Sequence, residues 1–271
     1  MRKILFALLL GCCLVGATQI MVLKPVQSAV GSGDIVNLGV IGPGQKVEIV
    51  VDRASGFTKP EGGEALWDRA LVEFDDAMGM AGWTREDSQF YERELRAYVS
   101  AARDAPNGEY LFDLKTIDEY EGAETTVVKC RVTVSDDVLD FVPGDSALTA
   151  GVGLPAVYYF VLKNKSSASD SFEVTVSGLP GGWQEARRFF VPYLSQRTIT
   201  YSVSSQEAGV FPLVFKAESV SSELISKGVT GSLETKRDLY TDMLATSHGL
   251  LLFPSVQQAI YALFGLASGF K

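Results

Sequence analysis

The sequence gives no support for a catalytic or metal-binding site built on histidine. His248 is the only histidine among 271 residues, and no triad or metal-ligand spacing surrounds it. A Ser-His-Asp triad or a histidine zinc site would have to be built around this one residue. Gly151-Val152-Gly153 is too short to count as a dinucleotide-binding signature, and no phosphate-binding loop is present. The sequence therefore predicts no catalytic residues, no cofactor and no metal, and a protein that is not an enzyme.

Carboxylates are the most abundant reactive groups. The chain has 33 Asp and Glu against 24 Lys and Arg, a net charge of −9. So many carboxylates form pairs by chance, and a glycosidase-like pair is therefore unsupported. Asp136, Asp137, Asp140 and Asp145 could ligate calcium between two domains, but solvated acidic loops are the favoured interpretation. The basic residues are scattered, which argues against nucleic acid as a partner.

Two further residues carry chemistry of their own. Cys130 is the only cysteine outside the N-terminal leader, so no disulfide framework is expected. It alternates with valines, which predicts a buried core thiol on a strand. Asn164-Lys165-Ser166 is a glycosylation sequon on an expected turn, so Asn164 is the predicted glycosylation site.

An internal repeat organises the elements that carry these residues. Gly82-Trp83 and Gly182-Trp183 lie 100 residues apart, and strand, turn and strand patterns follow each pair. Short strands separated by Gly, Pro, Asn and Asp are typical of a β-sandwich. We predict an all-β fold of two tandem immunoglobulin-like β-sandwiches that superpose, with an N-terminal hydrophobic leader and a C-terminal apolar helical segment. Trp83 and Trp183 are expected in the two cores.

The predicted strands fall into two sets. The first set covers residues 35–40, 46–52, 69–74, 95–100, 110–117 and 125–134. The second set covers residues 156–163, 171–177, 189–192, 198–203, 210–219 and 229–234. Between Ala54 and Gln89 lies an acidic insertion, for which a short helix and a long loop both remain open.

These patterns predict four segments: 1–29 a signal peptide or membrane anchor, 30–145 the first sandwich, 152–236 the second sandwich, and 237–271 an apolar helical tail. Arg2-Lys3 ahead of an apolar run is the order of an export signal. Cleavage near Gly16-Ala17 or Ser28-Ala29, lipidation at Cys12, and retention as an anchor all remain open.

The tail is apolar but interrupted. Gly249 to Phe270 has no charged residue, yet Pro254 and Gln257-Gln258 make it a marginal transmembrane segment. An apolar stripe recurs at helical spacing and consists of Val256, Ile260, Leu263 and Phe264. We predict that the stripe docks on a membrane surface or a partner, while a helix folded back onto its own sandwich remains open.

Two runs in the second half end strands in a distinctive way. The first is 158–164, which ends in an Asn turn, and the second is 172–183, which contains Gly-Leu-Pro-x-x-Trp. Residues 154–219, about a quarter of the chain, resemble the NEW3-type, CARDB-like immunoglobulin folds common in bacterial and archaeal cell-surface proteins, and the resemblance implies a prokaryotic protein, an archaeal one by preference. The first copy lacks the Leu-Pro before Gly82-Trp83. The resemblance implies an accessory or adhesive extracellular module without catalytic residues.

Together these observations predict a non-catalytic extracellular structural or interaction protein of the cell envelope. The alternative is a secreted glycan- or protein-binding module. Expected partners are envelope proteins or glycans, with the membrane surface as a candidate through either terminus. Exposed aromatic side chains on one sheet would favour glycan binding, whereas a buried Trp183 would favour a spacer.

Overall fold

The computed structural model describes residues 19–58, 62–74, 81–90, 93–118, 125–180 and 185–237. Within these ranges every regular element is a β-strand, which confirms the predicted all-β class. None of the described residues belongs to a helix that could cross a membrane. His248 and the whole stripe of Val256, Ile260, Leu263 and Phe264 lie outside the described residues.

The first sandwich packs two sheets against each other. One sheet contains, in order, β2 (Ser28–Gly31), β1 (Gln19–Lys24), β4 (Lys46–Asp52), β9 (Glu94–Ser100) and β8 (Thr84–Glu86). The other contains β3 (Ile35–Ile41), β11 (Thr125–Val134), β10 (Gly108–Ile117) and β7 (Arg69–Glu73). A small hairpin of β5 (Ala54–Thr58) and β6 (Glu64–Leu66) lies in the acidic insertion.

The second sandwich also has two sheets. The smaller sheet contains β12 (Leu139–Pro143), β14 (Ala156–Asn164) and β17 (Gln196–Val203). The larger sheet contains β13 (Ala147–Gly151), β19 (Ser226–Lys236), β18 (Gly209–Ser219), β15 (Asp170–Ser177) and β16 (Arg187–Val191).

Both sandwiches share one strand order. The row β1–β4–β9 corresponds to β12–β14–β17, and the row β3–β11–β10–β7 corresponds to β13–β19–β18–β15. In each sandwich the strand that begins the second row runs parallel to the last strand, while the other described pairings are antiparallel. This is the order of an immunoglobulin-like fold, with strands A, B and E facing A′, G, F and C. The repeat predicted from the Gly-Trp pairs is therefore present in the topology.

Alternation along the strands produces the first core. On β11 the side chains of Val128, Cys130, Val132 and Val134 all point inward and are buried. The aligned strand β10 contributes Phe112 and Leu114 from the facing positions. Trp83 packs on Tyr110 with ring centroids 4.9 Å apart and is buried in this core, as predicted. Trp183 lies outside the described residues.

The second core is built on aromatic rings. Phe160 and Phe215 have ring centroids 4.7 Å apart, and Tyr158 lies 4.9 Å from Phe215. The Tyr158 hydroxyl donates a hydrogen bond to the carbonyl of Ser232 at 2.8 Å, so its one polar atom is satisfied inside the sandwich.

The first sandwich begins earlier than the predicted residue 30. Ile20 and Val22 on β1 are fully buried, and β1 pairs with both β2 and β4. Residues 19–29 therefore belong to the fold and not to the leader. The reason for the difference is that a buried strand and a leader are both apolar, so composition alone does not separate them.

The second sandwich also begins earlier than predicted. The region around residues 143–153, where the predicted first sandwich ends and the predicted second one begins, contains β13, and β12 precedes it. Val138, Leu139 and Phe141 all lie in the second core. The glycines and proline of this stretch mark turns within the second sandwich, and the true junction lies at residues 135–138.

A buried tryptophan, for which the sequence predicted no role, anchors the acidic insertion. Trp67 is only 1% exposed, and its Nε1 donates to the carbonyl of Gln19 on β1 at 3.4 Å. Its own carbonyl accepts a hydrogen bond from Arg53 Nε at 2.9 Å. The hairpin thus closes over the start of β1.

Removal of β1 is expected to unfold the first sandwich. A chain that starts at Val30 loses the burial of Ile20 and Val22, about 3 to 6 kcal/mol of hydrophobic stabilisation, together with the β1 main-chain bonds. A chain that starts at Gln19 is the control and should keep full stability. Urea denaturation of both chains measures the difference. Equal midpoints would show that β1 is dispensable.

Candidate functional site

The junction between the two sandwiches brings together more buried polar groups than any other part of the described chain. β11 ends at Val134 and β12 begins at Leu139, so the connection is short. The amide of Ser135 donates to the carbonyl of Ile41 at 2.9 Å, and that of Lys165 donates to the carbonyl of Val138 at 2.8 Å. Both ends of the connection are therefore held by main-chain bonds.

Gln45 projects from the β3–β4 loop of the first sandwich into the second. Its side chain is fully buried. Its Nε2 donates to Asp170 Oδ2 at 2.6 Å, and its Oε1 accepts from Ser166 Oγ at 2.6 Å and from the amide of Gly42 at 2.7 Å. One side chain thus joins the β14–β15 loop and the first residue of β15 in the second sandwich to a loop of the first.

Asp170 is the acceptor at the centre of the junction. It is buried, and besides Gln45 it accepts from Ser219 Oγ at 2.6 Å, Ser221 Oγ at 2.9 Å and the amide of Ser171 at 2.7 Å. A carboxylate removed from water is tolerated only when its oxygens are hydrogen-bonded. Because one of the four donors comes from the other sandwich, the relative placement of the two domains is part of how this carboxylate is satisfied.

Two glycines make this close approach feasible. A Cβ at Gly42 would collide with Ile225 and Val138 of the second sandwich, and one at Gly44 would overlap the carbonyl of Ser221. Gly44 also has φ of 69°, a conformation that side-chain-bearing residues avoid. The turn Gly42-Pro43-Gly44 between β3 and β4 is therefore a contact surface as well as a turn.

Further bonds cross the junction on either side. The amide of Ser167 donates to the carbonyl of Val40 at 2.7 Å, and Ser222 Oγ donates to the carbonyl of Arg103 at 2.7 Å. Two loops of the second sandwich, β14–β15 and β18–β19, therefore contact the first.

The acidic residues near the junction are neutralised by lysines. Lys165 Nζ lies 3.0 Å from carboxylate oxygens of both Asp137 and Asp140, and Lys227 Nζ lies 3.0 Å from Asp137. The Lys227 and Lys165 ammonium groups lower the pKa of Asp137, and Asp140 is the main cause of a raised pKa at Lys165. Asp136 instead accepts from Asn107 Nδ2 at 3.0 Å. Among the described residues no group of three or more His, Cys, Asp or Glu could hold a metal ion.

Asn164 is a structural residue of the folded domain. It is fully buried, and its Nδ2 lies 2.8 Å from the carbonyl of Ala168, 3.3 Å from that of Val191 and 3.2 Å from that of Pro192. Its Oδ1 accepts from the amide of Ser166 at 3.0 Å. This position corrects the expectation that the sequon lies on an accessible turn, since a glycan on Nδ2 would have to displace these bonds.

Cys130 is buried in the first core, as the alternation on β11 predicts. Burial, with a smaller contribution from Asp113, raises the pKa of its thiol to about 12. The thiol therefore stays protonated at ordinary pH and is a packing group.

Grooves flank the junction between the two sandwiches. One, of about 500 Å³, is lined by Arg103 and Asp104 from the first sandwich and by Glu173, Arg188 and Glu218 from the second. Arg188 Nε donates to Glu173 at 2.7 Å, so this pair is already formed. Ser219 also lines this groove, and its hydroxyl donates to Asp170 within the junction network.

Exposed aromatic residues of the second sandwich are spread over several elements. Tyr159 lies on β14, Phe190 on β16 and Tyr193 in the turn that follows β16. They do not share one sheet, so they do not form the single aromatic face that would favour glycan binding.

No family model and no curated protein matches the chain, and the NEW3-type resemblance stays a prediction. Solved structures to which this chain is similar include fibronectin(III)-like modules of Clostridium thermocellum CbhA, with 11% identity, 80% of this chain and 94% of that chain covered, and a TM-score of 0.28. A chimeric titin Z1Z2 shares 12% identity over 82% of this chain and 99% of that one, with a TM-score of 0.37. Extracellular cadherin domains 1–4 of protocadherin gamma B7 share 10% identity, with 84% and 59% covered and a TM-score of 0.27.

Gln45→Ala is expected to weaken the junction. The substitution removes the hydrogen bonds that Gln45 makes with Asp170 Oδ2 and Ser166 Oγ in a buried site, which costs about 2 to 4 kcal/mol in the free energy of unfolding. Gln196→Ala, at an exposed position on β17, should change it by less than about 0.5 kcal/mol. Urea denaturation tests both variants, and similar values for the two would contradict the role assigned to Gln45.

Asn164→Asp tests the buried amide. A carboxylate would face three carbonyl oxygens without a donor of its own, so a loss of more than about 3 kcal/mol in unfolding free energy is expected. Asn37→Asp is the matched control, because Asn37 is exposed and acts only as an acceptor, from the amide of Gly39 at 3.0 Å. If thermal denaturation shows equal losses, the burial of Asn164 is not what stabilises this turn.

Proposed function

We propose that this protein is an exported, non-catalytic structural or interaction protein of the cell envelope, whose two immunoglobulin-like sandwiches act as one rigid spacer. The observation that carries the proposal is the buried hydrogen-bond network in which Gln45 of the first sandwich binds Asp170 and Ser166 of the second. A flexible pair of domains would leave these groups in water. Their burial favours a fixed relative placement.

We infer export from the N-terminal sequence. The position of β1 restricts where the leader can be cleaved. A cleavage near Ser28-Ala29 would remove β1, whereas cleavage near Gly16-Ala17 leaves Gln19–Lys24 intact. We therefore favour the earlier site, ahead of Gln19, and a leader of signal-peptide length.

A secreted glycan- or protein-binding module is the second candidate. Phe190 and Tyr193 are exposed beside grooves at the junction, where Phe190 adjoins Arg103 and Tyr193 adjoins Lys24 and Tyr98. Aromatic and charged side chains around a concave surface suit a polar partner. Envelope proteins or glycans remain the proposed partners.

Two measurements test the export of the chain and the rigidity of its domain pair separately. The full chain with an epitope tag is expressed and treated with protease on intact cells, and the purified protein is measured by small-angle X-ray scattering. We expect surface exposure, and a distance distribution that broadens when six Gly/Ser residues are inserted between Asp136 and Asp137. The same insertion between Gly62 and Gly63, away from the junction, is the control.

Two results would count against the proposal. A chain that is protected in intact cells and found with cytosolic proteins would overturn export. A wild-type distance distribution as broad as that of the 136/137 insertion would overturn the rigid spacer.

A further inference from the structure

One sheet of the second sandwich presents apolar side chains on its outer surface. On β12 and β14 the outward side chains include Val142, Val157, Tyr159 and Val161, and β17 adds Thr198, Thr200 and Ser202. Val142 is 52% exposed, Tyr159 51% and Val157 37%. Val142 pairs with Val161 and Tyr159 with Thr200, so these side chains are neighbours. We call this surface the apolar face.

The first sandwich provides an internal comparison. Its strands β4 and β9 occupy the positions of β14 and β17 in the shared strand order, but their outward side chains include Lys46, Glu48, Glu94 and Arg96. Arg96 forms ion pairs with Glu48 at 3.6 Å and with Glu94 at 3.2 Å. The same surface thus carries several charged side chains in the first copy, whereas in the second copy exposed valines and Tyr159 lie beside uncharged Thr and Ser side chains. Water-facing sheets carry polar residues outward, so the apolar face is expected to be covered.

The chain leaves the second sandwich beside this face. β19 ends at Lys236, whose carbonyl accepts from the amide of Val152 at 3.2 Å, and Gly153 donates to the carbonyl of Ser205 at 2.8 Å. Ser205 follows β17 directly, at the end of the small sheet where Ala156 pairs with Val203. The charged pair of positions Asp140 and Lys163 lies at the opposite end. The chain exit and the charge-free part of the sheet are therefore at the same end.

The sequence after the exit matches this surface. Residues 249–270 carry no charge, and the stripe of Val256, Ile260, Leu263 and Phe264 is apolar. Residues 238–248 can span up to about 36 Å when extended, whereas three neighbouring strands are about 10 Å across. Pro254 and Gln257-Gln258 are costly in hydrocarbon but tolerable at the edge of a protein contact.

We propose that residues 249–270 cover the apolar face of their own second sandwich, with the stripe against Val142, Val157 and Tyr159. Covalent attachment gives this segment a far higher local concentration than a second copy or a partner would have. The inference stands independently of the spacer function, because it concerns a different surface from the junction.

Disulfide trapping in the full chain tests the contact. In a background with Cys12→Ser and Cys13→Ser, Tyr159→Cys is combined with Ile260→Cys. The control combines Ile260→Cys with Val210→Cys, which is 68% exposed and lies on β18 of the other sheet. We expect intramolecular disulfide under mild oxidation at least about tenfold faster for the 159/260 pair than for the 210/260 pair. Equal rates, or disulfides only between chains, would overturn the proposal, and the latter result would identify a second copy as the occupant.

Maleimide labelling supplies a second readout that includes the membrane. Labelling of Tyr159→Cys in the full chain should rise about tenfold when Ile260→Asp and Leu263→Asp are added, and labelling of Val210→Cys should not change. Phosphatidylcholine vesicles should leave both rates unchanged. If vesicles expose Cys at position 159 and the chain floats with them, the segment binds lipid and the proposed contact is overturned.

Discussion

A buried carboxylate shared between two domains is the constraint on which this structure depends. Asp170 lies out of water, and its two oxygens need several donors if burial is not to cost several kcal/mol. Its own sandwich supplies two serine hydroxyls and a main-chain amide, and Gln45 supplies a fourth donor from the other sandwich. Moving one domain away would break the hydrogen bonds that Gln45 makes with Ser166 and Asp170. The short connection and the glycines of the β3–β4 loop are what this arrangement requires.

The two sandwiches share one topology but differ in how they fill and cover it. The first core is largely aliphatic. In the first sandwich, β8 pairs with β9 and forms the edge of their sheet. The second core stacks the rings of Tyr158, Phe160 and Phe215. Its strand β16 corresponds to β8 but pairs with β15 in the opposite sheet. The outer surfaces also differ, since the first copy carries several charged side chains where the second has exposed valines and Tyr159 beside uncharged Thr and Ser side chains. Strand order is thus set by the repeat, while side-chain choice adapts each copy to its surroundings.

The local sequence pattern was enough to predict most of the strands. It did not predict contacts between residues that lie far apart in the sequence. The predicted spans 46–52 and 125–134 match β4 and β11, because clean alternation and bordering turns define both. β1 was assigned to the leader because a buried strand next to a signal looks like its continuation. Gln45 and Asp170 are separated by 125 positions, and neither has a neighbour whose spacing indicates their contact. The role of Trp67 was missed for the same reason, since its partner Gln19 lies on a strand that was not predicted.

Ionic strength distinguishes the two kinds of polar contact at the junction. The lysine pairs of Asp137 and Asp140 are exposed, and pairs of this kind contribute little and are screened by salt. The Gln45–Asp170 and Ser166–Gln45 bonds are buried at 2.6 Å and are shielded from solvent ions. The buried bonds are therefore expected to hold the joint as the salt concentration varies, as the proposed rigid spacer requires.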